Sequence, residues 1–214
     1  MDLPRDESCP RWIRALDAEG RIQVDSRRVR YFRNGRTPFP LYVVPIEDVD
    51  AGARGLLRPA EVAGHLVLDF RKFDTVLEED EVVIVHPRDP YHRVDAMPSR
   101  RVVEVKLGDE LLARSEHPVS LFETGLPTRY YLPLTDLRRD LLVRSDRTTG
   151  CPYKGVAGYW HLDIGGTRYE NFVWHYDHPF PAVDAIRGRA AFYNEKVDLV
   201  VDGEPLARPT TVFS

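Results

Sequence analysis

Apolar and polar residues alternate along several short segments of this chain, as they do in β-strands that bury one face. The period of two is clear in residues 103–107 (VEVKL), 160–164 (WHLDI) and 197–201 (VDLVV). Dipeptides that favour the positive φ of a tight turn occur at Asn34-Gly35, Gly108-Asp109, Gly165-Gly166 and Asp202-Gly203. Because two-residue turns of this composition join antiparallel strands, the pattern predicts a series of β-hairpins.

Two segments predict helices, residues 59–66 and 181–190. Each begins with a proline, which fits the first turn of a helix because its φ is already helical and no N–H is needed there. Both segments are short, and strand-like patterns dominate the rest of the chain. We therefore predict a mainly β fold with short helices.

Two parts of the sequence repeat. Residues 42–48 (YVVPIED) align with residues 130–136 (YYLPLTD), and residues 64–76 align with residues 188–200. The offset is 88 residues in the first alignment and 124 in the second, so the N-terminal half lacks the difference, 36 residues. A repeat of this kind indicates the overall architecture of the chain more directly than the prediction of single strands and helices does. We predict two related small modules, the first of them truncated.

The segment between the repeated parts, residues 85–94, contains two prolines and several polar residues that interrupt any regular element. We place the domain boundary there. Residues 1–95 are predicted to form the degenerate N-terminal copy with its linker. Residues 96–214 are predicted to form the complete C-terminal module, which carries nearly all of the unusual residues of the chain.

The composition excludes several classes of function. Apolar residues make up 43% and charged residues 30% of the 214 residues, which is ordinary for a globular protein. With a formal charge of −4, the chain lacks the excess of positive charge that is typical of nucleic-acid-binding proteins. Uncharged runs are too short to span a membrane, the N-terminus is too charged for a signal peptide, and two cysteines make no disulfide framework. We expect a cytoplasmic protein with neither nucleic acid nor membrane as a partner.

Residues 148–155 (TTGCPYKG) give the sharpest local signal for chemistry. Pro152 prevents a regular helix through Cys151, and the flanking glycines allow turns that expose side chains. Lys154 would then curl back and favour the thiolate of Cys151, which is the reactive form of a cysteine. The alternative is a small buried cysteine in a turn whose lysine points outward. No histidine is fixed near Cys151 by the sequence, although His175 and His178 offer a base.

Aromatic residues are dense in the C-terminal module. Most would pack in the core, but tyrosine and tryptophan also line ligand pockets because they carry polar groups. The candidate ligand-binding residues are Glu123, Arg129, Tyr131, Tyr159, Trp160, Trp174, Tyr176 and Tyr193. Arg129 suits a carboxylate or phosphate on the ligand, whereas a pairing between Glu123 and Arg129 across a turn is an equally good interpretation.

Five motifs of the C-terminal half occur together: residues 123–131 (ETGLPTRYY), 148–155, 159–160 (YW), 174–176 (WHY) and 191–193 (AFY). Together they resemble the domain-of-unknown-function family numbered 427, also labelled a nucleotidyltransferase family. The resemblance covers about residues 101–205, and the N-terminal half resembles the first copy of tandem members with its middle deleted. It implies a compact fold similar to the β-tent group.

Many β-tent proteins hold zinc with pairs of cysteines, and this chain has no such pair. It also has no glycine-rich phosphate loop and no pair of carboxylates placed for magnesium, as nucleotidyl transfer would require. We therefore predict no metal and no cofactor.

Three hypotheses of function follow. In the first, the C-terminal module binds a small polar or anionic metabolite in an aromatic-lined pocket, with Arg129 or Lys154 holding the anionic group. In the second, the protein is an enzyme that uses Cys151 or Lys154 on a small metabolite. In the third, the truncated copy leaves sheet edges that serve as a docking surface or as a homodimer contact.

Overall fold

The computed structural model describes residues 5–33 and 40–214. The class is mainly β, as the alternation of apolar residues predicted, and the helical segments are short 3₁₀ turns. The chain divides into two compact units, Met1–Asp89 and Pro90–Ser214. The boundary predicted near residue 95 lies a few residues after this division, inside a strand that pairs within the C-terminal unit.

The N-terminal unit contains two antiparallel sheets, in the strand orders β1-β4-β5-β7-β6 and β3-β2-β8-β9. Its 3₁₀ turns are Ile46–Asp48, Arg54–Leu56 and Phe70–Lys72. Its strands are β1 (Arg5–Ser8), β2 (Ile13–Leu16), β3 (Ile22–Ser26), β4 (Arg30–Arg33), β5 (Leu41–Pro45), β6 (Arg58–Pro59), β7 (His65–Val67), β8 (Thr75–Glu78) and β9 (Glu81–Val82).

The C-terminal unit contains the strands β10 (Val94–Pro98), β11 (Val103–Leu107), β12 (Glu110–Ser115), β13 (Val119–Glu123), β14 (Arg129–Pro133), β15 (Leu142–Cys151), β16 (Gly155–Ile164), β17 (Thr167–His175), β18 (Arg189–Phe192), β19 (Asp198–Val201) and β20 (Glu204–Leu206). They form a seven-stranded sheet, β10-β13-β14-β18-β17-β16-β15, and a four-stranded sheet, β12-β11-β19-β20. The 3₁₀ turns are Leu134–Asp136, Arg139–Leu141 and Pro181–Ile186.

The seven-stranded sheet of this unit has a hydrophobic cluster on each face, because side chains alternate along its strands. One cluster includes Leu162 and Val173 and packs against residues of the four-stranded sheet such as Val105. The other includes Tyr159 and Trp174, which are paired across β16 and β17. The second face is covered by the Pro181–Ile186 turn, so its side chains are buried as well.

Strand β15 lies at the border of the seven-stranded sheet. Its pairing with β16 shifts register between Ser145 and Thr148, which marks a β-bulge at Asp146 and Arg147. Arg144, Asp146 and Arg147 are exposed. This border strand therefore carries charged residues and an irregular backbone next to the hairpin that ends at Cys151.

The two units share a strand order. The first four strands of the N-terminal sheet, β1-β4-β5-β7, correspond in order to β10-β13-β14-β18, and β3-β2-β8-β9 corresponds to β12-β11-β19-β20. The isolated bridges Val24–Val49 and Ala113–Leu137 occupy matching places. Strands β15 to β17 fall within the 36-residue interval that the sequence alignment finds only in the C-terminal half.

The turn predictions are confirmed at Gly108-Asp109, Gly165-Gly166 and Asp202-Gly203, each of which joins two paired strands. The turn predicted at Asn34-Gly35 lies outside the described residues. The predicted helix at residues 59–66 is wrong, because this segment is a tight connection between β6 and β7 in which Gly64 has a φ of 71°. The one predicted at residues 181–190 is a 3₁₀ turn that ends at Ile186.

Within residues 5–33 and 40–214, no helix combines the length and the apolar character needed to cross a lipid bilayer.

Candidate functional site

The turn that joins β15 to β16 holds Lys154 in a fixed backbone conformation. The Lys154 N–H donates to the Cys151 carbonyl at 3.4 Å, and the Lys154 carbonyl accepts from the Phe180 N–H at 3.1 Å. Gly155 has a φ of 106°, and a side chain at this position would lie 3.1 Å from the His178 carbonyl oxygen. The sequence needs glycine here because the hairpin end packs directly on the backbone of residues 178–180.

Lys154 points inward and forms a buried ion pair. Its Nζ lies 2.5 Å from Oε2 of Glu123, the last residue of β13, and the two side chains are only 9% and 8% exposed. The other carboxylate oxygen, Oε1, lies 3.1 Å from Nε2 of His92. The His92 ring in turn stacks on Tyr153, with ring centroids 4.3 Å apart. We call Lys154, Glu123 and His92 the Lys154 group.

A buried ion pair of this kind contributes little to stability on balance. Removing two charges from water costs several kcal/mol per ion, and their attraction seldom exceeds that cost by much. The Lys154 group therefore needs an explanation other than stability. Buried charged groups that lie close together are typical of functional sites.

An aromatic cluster lies close to the Lys154 group, because Glu123 acts electrostatically on two of its members, Tyr131 and Tyr176. We call Tyr131, Tyr159, Trp174, Tyr176 and Tyr193 the aromatic cluster. Its first four members are buried and Tyr193 is half-buried. The Trp174 indole N–H donates to the Tyr131 hydroxyl at 2.9 Å, and the Trp174 and Tyr193 rings are 4.6 Å apart. The cluster is a packed aromatic core whose hydroxyl groups lie inside the unit.

Two phenols of this cluster, those of Tyr131 and Tyr176, are held in their neutral form. Burial raises the pKa of Tyr131 above its ordinary range, and the charge of Glu123 acts in the same direction. Burial also raises the pKa of Tyr176, to which Cys151 and Glu123 add. These hydroxyl groups therefore stay hydrogen-bond donors at any physiological pH, close to the Glu123 carboxylate and the Cys151 thiol.

Cys151 is partly buried and packs against the aromatic cluster. It lies three residues before Lys154, at the end of β15. The second cysteine, Cys9, is buried in the N-terminal unit, where burial raises the pKa of its thiol. Charged side chains also lie near Cys9, those of Glu78 and Arg11, so Cys151 differs in its position three residues before the buried Lys154.

Glu123 and Arg129 do not pair with each other across a turn, which was one of the two interpretations of these residues. Glu123 binds Lys154, whereas Arg129 forms two hydrogen bonds with Glu195, at 2.8 and 2.6 Å. The Arg129 and Glu195 side chains are 4% and 0% exposed. The Thr211 hydroxyl also donates to Glu195, at 2.5 Å. Arg129 is therefore fully occupied within the protein.

Trp160 lies on the opposite face of the sheet from Trp174. It pairs with Val173 and packs against the cluster between the two sheets. Its ring stacks on His175, with centroids 3.9 Å apart and planes at 19°. A side chain at Gly158 would lie 2.7 Å from His175 Nε2, so glycine there makes room for the histidine. The structure thus separates Trp160 from the other predicted site residues, which it brings together.

Sequence reasoning did not select His92, Glu195 or Arg147 as site residues. His92 lies in the segment of residues 85–94, whose prolines and polar residues indicated a linker. Glu195 is 66 residues from its partner Arg129, and no local pattern predicts such a pair. Arg147, whose guanidinium lies 5.1 Å from the centre of the Tyr159 ring, is placed by the bulge in β15.

Within the described residues, no group of three or more histidine, cysteine, aspartate or glutamate side chains is arranged to hold a metal ion. A shallow depression of about 170 Å³ lies elsewhere on the C-terminal unit, beside Tyr130 and Leu206. None of the predicted site residues lines it. Polar side chains converge in this unit at the Lys154 group with the aromatic cluster, and at the Arg129–Glu195 pair.

Comparison with known proteins gives one family match. Residues 95–203 match the family described as "Domain of unknown function (DUF427)". The match includes nearly all of the Lys154 group and the aromatic cluster, with only His92 outside it. A comparison with curated proteins gives no match.

Proposed function

The chain belongs to the DUF427 family, whose match covers half of it, and from this premise we propose that its C-terminal unit binds a small polar or anionic metabolite beside the Lys154 group. The observation that carries the proposal is the buried Lys154–Glu123 pair, at 2.5 Å, next to the half-buried His92 and the Cys151 thiol. A ligand with both donors and acceptors would accept a hydrogen bond from Lys154 and donate one to Glu123. The aromatic cluster would keep the site rigid and exclude water.

The position of the site within the fold supports this proposal. Cys151 and Lys154 both lie in the hairpin of β15 and β16, which has no counterpart among the described residues of the N-terminal unit. The shared strands form the scaffold of both units, whereas the hairpin adds charged and reactive side chains. Groups placed on a rigid scaffold in this way are typical of binding and catalytic sites.

We infer that the N-terminal unit is a second copy of the same module from which this hairpin is missing. Besides the strand order, equivalent positions carry similar polar residues. In the N-terminal unit the Tyr42 hydroxyl donates to Glu78 at 2.5 Å. The equivalent positions in the C-terminal unit are Tyr130 and Asp202. The pKa of Tyr130 is raised by burial, and Asp202 acts on it in the same direction.

A neutral double variant tests the proposed function. In Glu123→Gln/Lys154→Met both charges of the pair are removed together, so that no unpaired charge is left in the interior and folding should be retained. Thermal unfolding of the full chain is followed in a panel of carboxylates, sugar phosphates and nucleosides. We expect at least one of these compounds to raise the Tm of the unchanged protein and to lose this effect in the double variant.

The control is Lys106→Met, which removes a second Lys–Glu pair of the same unit, with Nζ and Oε2 3.1 Å apart and both side chains partly exposed. Its Tm should respond to the compound as the unchanged protein does. The proposal is refuted if no compound in the panel raises the Tm of the unchanged protein, or if the double variant keeps the effect.

A second candidate function is catalysis through Cys151. It is favoured by the contact of this thiol with the aromatic cluster beside Glu123. Alkylation of the native protein by iodoacetamide, measured by mass spectrometry at increasing pH, tests it. A nucleophilic Cys151 should react well below the ordinary thiol pKa of about 8.5. A Cys151 that stays unmodified in the native protein up to about pH 9 excludes a thiolate mechanism.

A further inference from the structure

The proposed function leaves open which cation holds an anionic group of the ligand. Lys154 and Arg129 were the cations that the sequence favoured, and each is already bound to a carboxylate inside the unit. A ligand oxyanion would have to displace Glu123 or Glu195 to reach them. Cations that lie beside the aromatic cluster and have no carboxylate partner are better placed.

Arg147 is such a cation. It is exposed at the bulge in β15, and its guanidinium lies 5.1 Å from the centre of the Tyr159 ring. Among the residues that the structure describes, no carboxylate lies within ion-pair distance of it. Bulges are frequent next to binding sites because they redirect a side chain. Here the bulge directs an arginine over a buried tyrosine of the cluster.

Lys196 is the second such cation. It is half-buried, and its Nζ lies 4.9 Å from the centre of the Tyr193 ring and 5.4 Å from that of Phe172. It likewise has no carboxylate at ion-pair distance in the described part of the chain. An ammonium group over aromatic rings keeps its N–H donors free for an anion.

Each cation lies against one of two neighbouring tyrosines, Arg147 against Tyr159 and Lys196 against Tyr193. The Tyr159 and Thr149 hydroxyls are 2.8 Å apart. Burial raises the pKa of Tyr193, and a hydrogen bond with Tyr159 adds to this effect, whereas the charge of Arg147 opposes it. Arg147 therefore lies near Tyr193 as well as Tyr159. The two cations thus lie beside two neighbouring tyrosines, Tyr159 and Tyr193, at one end of the aromatic cluster.

We propose that Arg147 and Lys196 form the oxyanion-binding end of the ligand site, and that the ligand is a small metabolite with a phosphate or carboxylate group. This inference rests on the proposed function. Arg147, Thr149 and Cys151 follow one another along one face of β15. At about 3.4 Å per residue, the Cα atoms of Arg147 and Cys151 lie at most about 14 Å apart, a separation that a small metabolite can bridge.

Binding of inorganic phosphate to the full chain tests the proposal. Isothermal titration or amide chemical shifts give the Kd, with ionic strength held constant by sodium chloride. We expect Arg147→Gln/Lys196→Gln to raise the Kd by at least about tenfold, because two charge-assisted hydrogen bonds to the anion are lost. Both side chains are at or near the surface, so the double variant should fold.

Arg144→Gln is the matched control. Arg144 is exposed on the same strand and pairs with Trp160, so it lies on the opposite face. The substitution removes one positive charge, and its effect is therefore compared with that of Arg147→Gln alone. Its Kd for phosphate should stay within about twofold of the original value. Equal loss of binding in Arg144→Gln would show that only net charge matters, and phosphate binding that Arg147→Gln/Lys196→Gln leaves unchanged would overturn the proposal.

The experiment also separates this inference from the proposed function. In one outcome, metabolite binding requires the Lys154–Glu123 pair but the Kd for phosphate does not depend on Arg147 and Lys196. The assignment of these two cations to oxyanion binding is then refuted, and the proposed function stands. If phosphate requires Arg147 and Lys196 but the Lys154 group affects no ligand, the proposed function fails and an independent oxyanion site remains.

Discussion

Replacing Arg129 by methionine should destabilise the C-terminal unit strongly at neutral pH. The substitution removes two hydrogen bonds to Glu195, at 2.8 and 2.6 Å, and leaves a carboxylate whose side chain is fully buried. The Thr211 hydroxyl remains as a side-chain partner of this carboxylate. Leaving one member of a buried pair uncompensated costs about 3 kcal/mol of unfolding free energy.

The pH dependence of this effect distinguishes a lost ion pair from lost packing. In the unchanged protein burial raises the pKa of Glu195, but hydrogen bonds from Arg129 and Thr211 outweigh burial, so the pKa lies below its ordinary value of 4.5. The pair therefore stabilises the protein fully above about pH 4.5 and loses its effect as the pH falls through the lowered pKa. In Arg129→Met the pKa of Glu195 should instead rise, because burial acts unopposed by the guanidinium.

The assay is urea unfolding at several pH values, followed by the indole N–H resonance of Trp174, which belongs to the C-terminal unit. We expect the free-energy difference between Arg129→Met and the unchanged protein to decrease from pH 7 to pH 4. Arg129→Met/Glu195→Gln should regain most of the lost stability, because no buried charge is left. A difference that is constant over this pH range, with no recovery in the double variant, would refute the reasoning.

Three further substitutions have definite expected outcomes. Gly158→Ala should lower the Tm and shift the His175 ring resonances, because the new methyl group would lie 2.7 Å from His175 Nε2, whereas Gly55→Ala, with no atom within 4 Å, should leave the Tm unchanged. Tyr131→Phe removes the acceptor of the Trp174 indole N–H, and urea unfolding should show a loss of about 1–2 kcal/mol. Tyr42→Phe removes a 2.5 Å hydrogen bond to the buried Glu78; hydrogen exchange measured by mass spectrometry should show faster exchange in the N-terminal unit and not in the C-terminal unit.

Local sequence patterns predicted the hairpins well because turn formation is a local property. At Asp202-Gly203 both residues have positive φ, 54° and 86°, as an Asp-Gly turn requires. The helix predicted at residues 59–66 did not form, although Pro59 suited its first turn. A segment of this length gains too few hydrogen bonds to be helical alone, and pairing β6 with β7 satisfies the same backbone.

The residues of the candidate site could be selected from sequence patterns, whereas the pairing between their side chains could not. The sequence selected Glu123, Arg129 and Lys154 as candidate site residues, but the partners of these side chains depend on strands that are distant in sequence. Glu123 and Lys154 are 31 residues apart, and Arg129 and Glu195 are 66. Register between β16 and β17 likewise decides that Tyr159, and not Trp160, shares a face with Trp174.

The irregular, charged border strand β15 also bears on the solubility of the protein. A regular strand in this place would present a straight row of free N–H and C=O groups, which is a template for another chain to add itself. The bulge at Asp146 and Arg147 breaks that row, and the charges of Arg144 and Arg147 repel an identical strand. The Arg147 guanidinium, which we assign to ligand recognition, thus also opposes the addition of a further strand to this edge of the sheet.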